Sequence, residues 1–75
     1  MNITKIMVAS DFTTVSDNAI DHAIKLASAT NAEVYVLHIA RELAEVNTAK
    51  LKLVQQIEKR NPGSITTHVV VKIGN

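Results

Sequence analysis

Three stretches of this 75-residue chain, Lys5 to Ala9, Glu33 to Ile39 and Thr67 to Ile73, carry apolar residues at both parities and read as strands buried on two faces. Near-continuous apolar strands belong to parallel sheets held between two layers of helix. The segments between the strands supply only two helices, which is one layer. The sequence therefore calls for a second layer, either from further residues of a larger domain or from another chain.

The intervening segments switch to a helical period. After the polar turn Ser10-Asp11-Phe12-Thr13-Thr14, the residues Ala19, Ile20, Ala23, Ile24 and Ala27 recur at helical spacing. Ser16 is the expected N-cap, and Asp17 and Asp21 precede Lys25 as the helix dipole favours. This helix is expected to end near Thr30-Asn31. A second helix is expected to start between Arg41 and Thr48, with Leu43, Val46, Lys50, Val54 and Ile57 on one stripe and Leu53 beside it. Asn61-Pro62-Gly63 stops it, because proline cannot continue a helix and Asn or Gly accepts the left-handed cap. The third strand is expected to run from Ser64 to Ile73, with its apolar part from Thr67, and completes the order β-α-β-α-β.

Helical crossovers make the sheet parallel, and right-handed crossovers running one way give strand order 3-2-1 with both helices on one face. The expected fold is α/β: a three-stranded parallel sheet, a single domain over residues 1–75. The other face is left bare, carrying one parity of Met7/Val8, Tyr35/Val36/Leu37 and Val69/Val70/Val71, an apolar surface of roughly several hundred Å². The first strand is an unpaired edge. With 47% hydrophobic residues but one Phe, one Tyr, no Trp and no Cys, the core is small, aliphatic and unstapled. Association is expected, as a homo-oligomer or with a complementary carboxyl-terminal fragment.

Charge narrows the partners. Eight Lys/Arg and seven Asp/Glu are interspersed and sum to +1, which leaves no footprint for nucleic acid or a membrane surface. The basic segment Lys50 to Arg60 is diluted by Leu51, Leu53, Val54, Gln55 and Glu58 and reads as a solvated helix face. No apolar run approaches the ~18 residues of a membrane span, and Met1-Asn2-Ile3-Thr4-Lys5 leads straight into a strand, so a cytoplasmic location is expected. His22, His38 and His68 lie on separate elements without a partner Cys, which disfavours a shared metal. His22 is expected in solvent, and His38 and His68 as structural residues with a hydrogen-bond partner. No serine has a nucleophile-elbow context and no Asp ends the third strand, so no enzymatic activity is expected.

The loop after the first strand has a chemical reading. Ligands of open α/β sheets bind at the carboxyl ends of strands where the strand order reverses. Asp11 is placed to accept from ribose hydroxyls, Ser10 to donate to or accept from a ligand, and Ile39 to wall a base. The plainer alternative has Asp11 and Thr13 satisfying turn amides while Phe12 plugs the end of the core.

Lys5-Ile6-Met7-Val8-Ala9-Ser10-Asp11-Phe12-Thr13, Ser16-x-x-Ala19, Ala23-x-x-Leu26-Ala27 and Ala32-Glu33-Val34-Tyr35-Val36-Leu37-His38-Ile39 together resemble the amino-terminal half of the universal stress protein family. The resemblance implies half of a five-stranded parallel sheet of order 3-2-1-4-5, a stress-response role, frequent dimerisation, and ATP binding in many members. It places Ala9, Ser10 and Asp11 at the nucleoside, with Asp11 near the ribose, and Ile39 against adenine. The family's phosphate motif, Gly-x-x-Gly, nine residues, then Gly-Ser/Thr, has no counterpart, since the only glycines are Gly63 and Gly74. The chain thus reads as an association module with at most half a site for ATP or another adenine nucleotide. The alternative is an ATP-binding family member whose phosphate-binding half lies outside these residues.

Overall fold

In the computed structural model, which describes residues 4–74, β1 (Lys5–Ala9), β2 (Glu33–Ala40) and β3 (Thr67–Ile73) form one parallel sheet in the order β1-β2-β3. Helix α1 (Thr14–Thr30) crosses from β1 to β2, and α2 (Val46–Lys59), preceded by a single 3₁₀ turn at Leu43–Glu45, crosses from β2 to β3. Of Met1-Asn2-Ile3-Thr4-Lys5, read from the sequence as running straight into the first strand, residues 1–3 lie outside the described residues.

Both helices pack on one face, as right-handed crossovers require. Ile20, Ala23 and Ala27 of α1 meet Leu53 and Ile57 of α2 over Val34 and Val36 of the central strand, with Ile6, Val8, Val69 and Val71 packed around them. Ile20, Leu53, Val34 and Val36 are the largest fully buried side chains. Each contributes about 1.5–3 kcal/mol of burial. Small residues at Ala23, Ala27 and Ala49 let the helices approach this short aliphatic sheet closely.

The helices correct two expectations, the N-cap of α1 and part of the buried stripe of α2. Thr13, not Ser16, is the N-cap of α1: its backbone is extended and its side-chain oxygen accepts from the Ser16 amide at 3.4 Å. Ser16 lies inside the first turn, where its hydroxyl is buried and donates to the Thr13 carbonyl at 2.9 Å. Asn31 closes α1 in the left-handed conformation (φ 59°), its amide returning to the Ala27 carbonyl. In α2 the buried stripe is Ala49, Leu53 and Ile57, whereas Leu43 and Val54 of the expected stripe are 76% and 38% exposed. Ile57 of that stripe and Leu53 beside it are buried as expected, in the core with Val69 and Val71, and the sheet side of α2 lies one residue round from Lys50 and Val54.

After α2, Asn61 and Gly63 take positive φ and the Ile65 amide returns to the Pro62 carbonyl at 3.2 Å. This turn uses residues that the sequence pattern assigns to the third strand, which begins at Thr67.

The uncovered face is less uniform than expected. Register aligns Lys5 with Glu33, Met7 with Tyr35 and His68, Ala9 with Leu37 and Val70, and Ile39 with Lys72. Toward the strand starts, Tyr35 and His68 rings stack at 4.4 Å, His68 Nε2 donates to Glu33 at 2.8 Å, and Lys5 Nζ sits 5.8 Å from the Tyr35 ring. Toward the strand ends, Met7, Ala9, Leu37, Val70 and Ile39 form the apolar half, with Met7 66% exposed.

Candidate functional site

Ser10 follows directly on β1, and every polar group it owns is engaged. Its amide donates to the Leu37 carbonyl at 2.8 Å, continuing the sheet ladder by one bond. Its carbonyl accepts from His38 Nδ1 at 2.7 Å, which fixes the proton on that ring nitrogen because a carbonyl can only accept. Its hydroxyl donates to Gln56 Oε1 at 2.6 Å and accepts from the Phe12 amide at 3.2 Å. Ser10 is buried, so its hydroxyl is not the ligand-facing group that the sequence reading expected. It belongs to the loop's internal support instead.

The chain turns sharply at Phe12, which adopts φ 65°, a conformation uncommon for a bulky residue. Three contacts hold it there: the bond from its amide to Ser10, the His38 ring at 4.4 Å, and Lys52 Nζ 5.4 Å above its own ring. The ring packs half-buried against the core, as a plug for the end of the sheet. Strain of this sort persists only where neighbouring structure over-determines it.

Asp11 sits exposed at the tip. Its Oδ1 accepts from both the Thr13 hydroxyl and, at 3.1 Å, the Thr13 amide. These bonds, the hydroxyl first and the amide second, hold its carboxyl below its ordinary value of 3.8. Asp11 is thus a carboxylate anchored on one oxygen by the turn it helps to form. The local role that the sequence offered as the plainer alternative is present, and it orients the group as well.

Ala9, Ser10, Asp11 and Ile39, drawn from the ends of two adjacent strands, line one open cleft of about 380 Å³ with Leu37 and Val15. Cleft volumes near this size suit a small ligand. Ile39 is 49% exposed and lies against Gly74, where an added Cβ would come within 3.2 Å of Ile39 Cγ2. Since Ala9, Leu37 and Ile39 also belong to the uncovered sheet face, cleft and face form one surface.

Gln56 is the residue that sequence reasoning missed. From α2 it accepts from Ser10 and donates through Nε2 to Ser16 Oγ at 3.2 Å and Asp17 Oδ1 at 2.8 Å. A polar residue beside the buried stripe Ala49, Leu53, Ile57 was the available signal, obscured while the stripe was read one step away. A second concavity of about 290 Å³ is lined by Gln56 with Lys52, Lys59 and Arg60, and it holds none of the four expected site residues. Arg60 there pairs with Asp21 at 3.4 Å. His22 is exposed. Among the described residues no group of three or more His, Cys, Asp or Glu could hold a metal ion, and no helix is long and apolar enough to cross a membrane.

A family model described as the universal stress protein family matches residues 2–74. The chain belongs to the universal stress protein family. Among solved structures, one described as a universal stress protein in complex with cAMP superposes with a TM-score of 0.80 at 18% sequence identity. That match covers 100% of this chain and 58% of the other, so this universal stress protein chain spans little more than half the length of its structural neighbour. At such low identity the likeness carries the fold alone. No curated protein sequence matches this family member.

Proposed function

We propose that this universal stress protein chain acts in the stress response as an association module that carries the nucleoside half of an adenine-nucleotide site. The observation that carries this reading is the continuity of the cleft with the uncovered face, through Ala9, Leu37 and Ile39. A layer that covers the face also walls the cleft. Asp11, held by Thr13 on Oδ1, offers its other oxygen to ribose hydroxyls, and Ile39 offers an apolar wall to the base. A cAMP-bound relative of the same fold supports an adenine nucleotide as the ligand class. The described residues suit the nucleoside, since neither Gly63, in the turn after α2, nor Gly74, beside Ile39, belongs to a Gly-x-x-Gly segment. The module works by binding and not by catalysis, with a second copy or a complementary fragment as its covering layer.

Native mass spectrometry of the chain, with and without Mg-ATP or adenosine, tests this. Dimers or higher species, or a co-purified second fragment, with a nucleoside adduct would support both halves of the proposal. A ligand-free monomer at every concentration would sink both. Asp11→Ala separates them, because it should leave association unchanged and weaken the adduct by about 1–3 kcal/mol, the cost of a lost hydrogen-bonding partner.

A further inference from the structure

We propose that Gln56 is a positioning residue for the cleft, a latch that fixes the Ser10–Phe12 turn so that Asp11 meets a nucleoside in one orientation. The proposal rests on the nucleoside reading above and concerns how that half site is held ready.

The side chain suits the task by its hydrogen-bonding inventory. An amide offers one carbonyl and two N–H groups. Gln56 uses the carbonyl for the Ser10 hydroxyl and its nitrogen for Ser16 and Asp17. One residue of α2 thereby ties together the end of β1 and the first turn of α1, the two supports between which Asp11 hangs. A carboxylate of the same length would face Asp17 with no proton to give, and an apolar side chain would leave Asp17 without its amide donor and Ser10 with only the longer bond to Ser16.

Asp11 makes no contact with Gln56, so the effect passes through Ser10. Ser10 Oγ sits between Gln56 and the Phe12 amide, and Phe12 is the residue in the strained left-handed conformation. Once Gln56 is removed, the Ser10 hydroxyl keeps only the longer bond to Ser16 Oγ at 3.3 Å, and the acceptor of the Phe12 amide is held less firmly. Relaxation of Phe12 toward negative φ would swing Asp11, its immediate neighbour, away from the cleft. His38 supports the same turn from β2 through the Ser10 carbonyl, so the turn keeps its place on the sheet while losing its conformation.

The test combines backbone exchange with adenosine binding, using Gln56→Met, which keeps length and volume but makes no such bonds. Amide hydrogen exchange at Phe12 and Thr13 should quicken by roughly tenfold or more relative to the β2 amides, as expected for local opening. Adenosine binding, followed by ligand-observed NMR, should weaken about tenfold, equivalent to ~1.4 kcal/mol. In an Asp11→Ala background, the same Gln56→Met change should cost less than about twofold, because a latch that acts through Asp11 has nothing left to position. Equal tenfold losses in both backgrounds would overturn the proposal and make Gln56 a general structural support. Should Gln56→Met fail to fold, Asp17→Ala removes one arm of the latch at a half-buried position and is read the same way. A chain that binds no adenosine at all would defeat the nucleoside reading, and presentation to a nucleoside with it. The latch is then decided by exchange alone, upheld by quickened exchange at Phe12 and Thr13 and overturned by unchanged rates.

Discussion

The Ser10 hydroxyl donates to the Gln56 side-chain oxygen at 2.6 Å, across 46 residues of sequence. This bond joins the end of β1 to the second helix at the rim of the cleft. Ser10→Ala removes the donor and also the acceptor of the Phe12 amide, leaving partly buried groups without partners. The expected loss is about 1–3 kcal/mol. In a chain of this size each kcal/mol lowers the melting temperature by about 4–8 °C, so a thermal melt followed by circular dichroism resolves the effect.

The register of α2 gives a sharper contrast. Leu53 is fully buried while Val54, its neighbour, is 38% exposed. Leu53→Ala should cost about 2–5 kcal/mol through lost burial and the cavity left behind. Val54→Ala should stay within about 0.5 kcal/mol. Comparable losses for the two in urea unfolding would return the buried stripe to Val46, Lys50 and Val54.

Asn31 ends α1 with φ 59°. Asn31→Gly should be neutral or slightly stabilising, since glycine adopts that conformation without a Cβ penalty. A β-branched replacement, Asn31→Val, should lose about 1–2 kcal/mol, the cost of forcing such a residue into the left-handed region. Denaturant midpoints of the two variants check this directly.

Thr13 caps α1 and holds Asp11, so Thr13→Val tests two effects at once. Loss of the cap should destabilise by about 0.5–2 kcal/mol. The Asp11 carboxyl should rise toward 3.8, because the two largest of its lowering bonds come from Thr13 and the hydroxyl bond, the first of them, is removed. The sign follows from linkage: a carboxyl depressed in the folded state stabilises it above the unfolded pKa, and that contribution disappears as pH falls from 3.8 through the lower folded value. Carbon-detected titration of Asp11 should therefore show a lower midpoint in the parent chain than in Thr13→Val. Equal midpoints would remove the Thr13 hydroxyl as the cause.

Met7 stands 66% exposed in the apolar half of the uncovered face. Met7→Lys should weaken association without disturbing the helix-covered core, which Met7 does not enter. Sedimentation velocity should show the assembly shifting to monomer, with the far-UV spectrum unchanged. Association that survives the substitution would move the contact to the polar half around Tyr35 and His68.

The sequence alone determined the order of elements, the parallel sheet and the bare face, because these follow from apolar periodicity and from the handedness of crossovers. It also named Ala9, Ser10, Asp11 and Ile39, through strand-end position and family likeness, and the fold gathers all four in one cleft. Side-chain direction was beyond its reach. Ser10 turns inward because Gln56 and His38, from α2 and β2, offer it partners that no local pattern reveals. Thr13 displaces Ser16 as the cap because the turn at Phe12 brings its oxygen to the right amide. The polar cluster of Lys5, Glu33, Tyr35 and His68 likewise exists only because register sets three strands side by side. Local periodicity fixes which residues share a face, whereas hydrogen-bond partners distant in sequence are chosen only when the chain has packed.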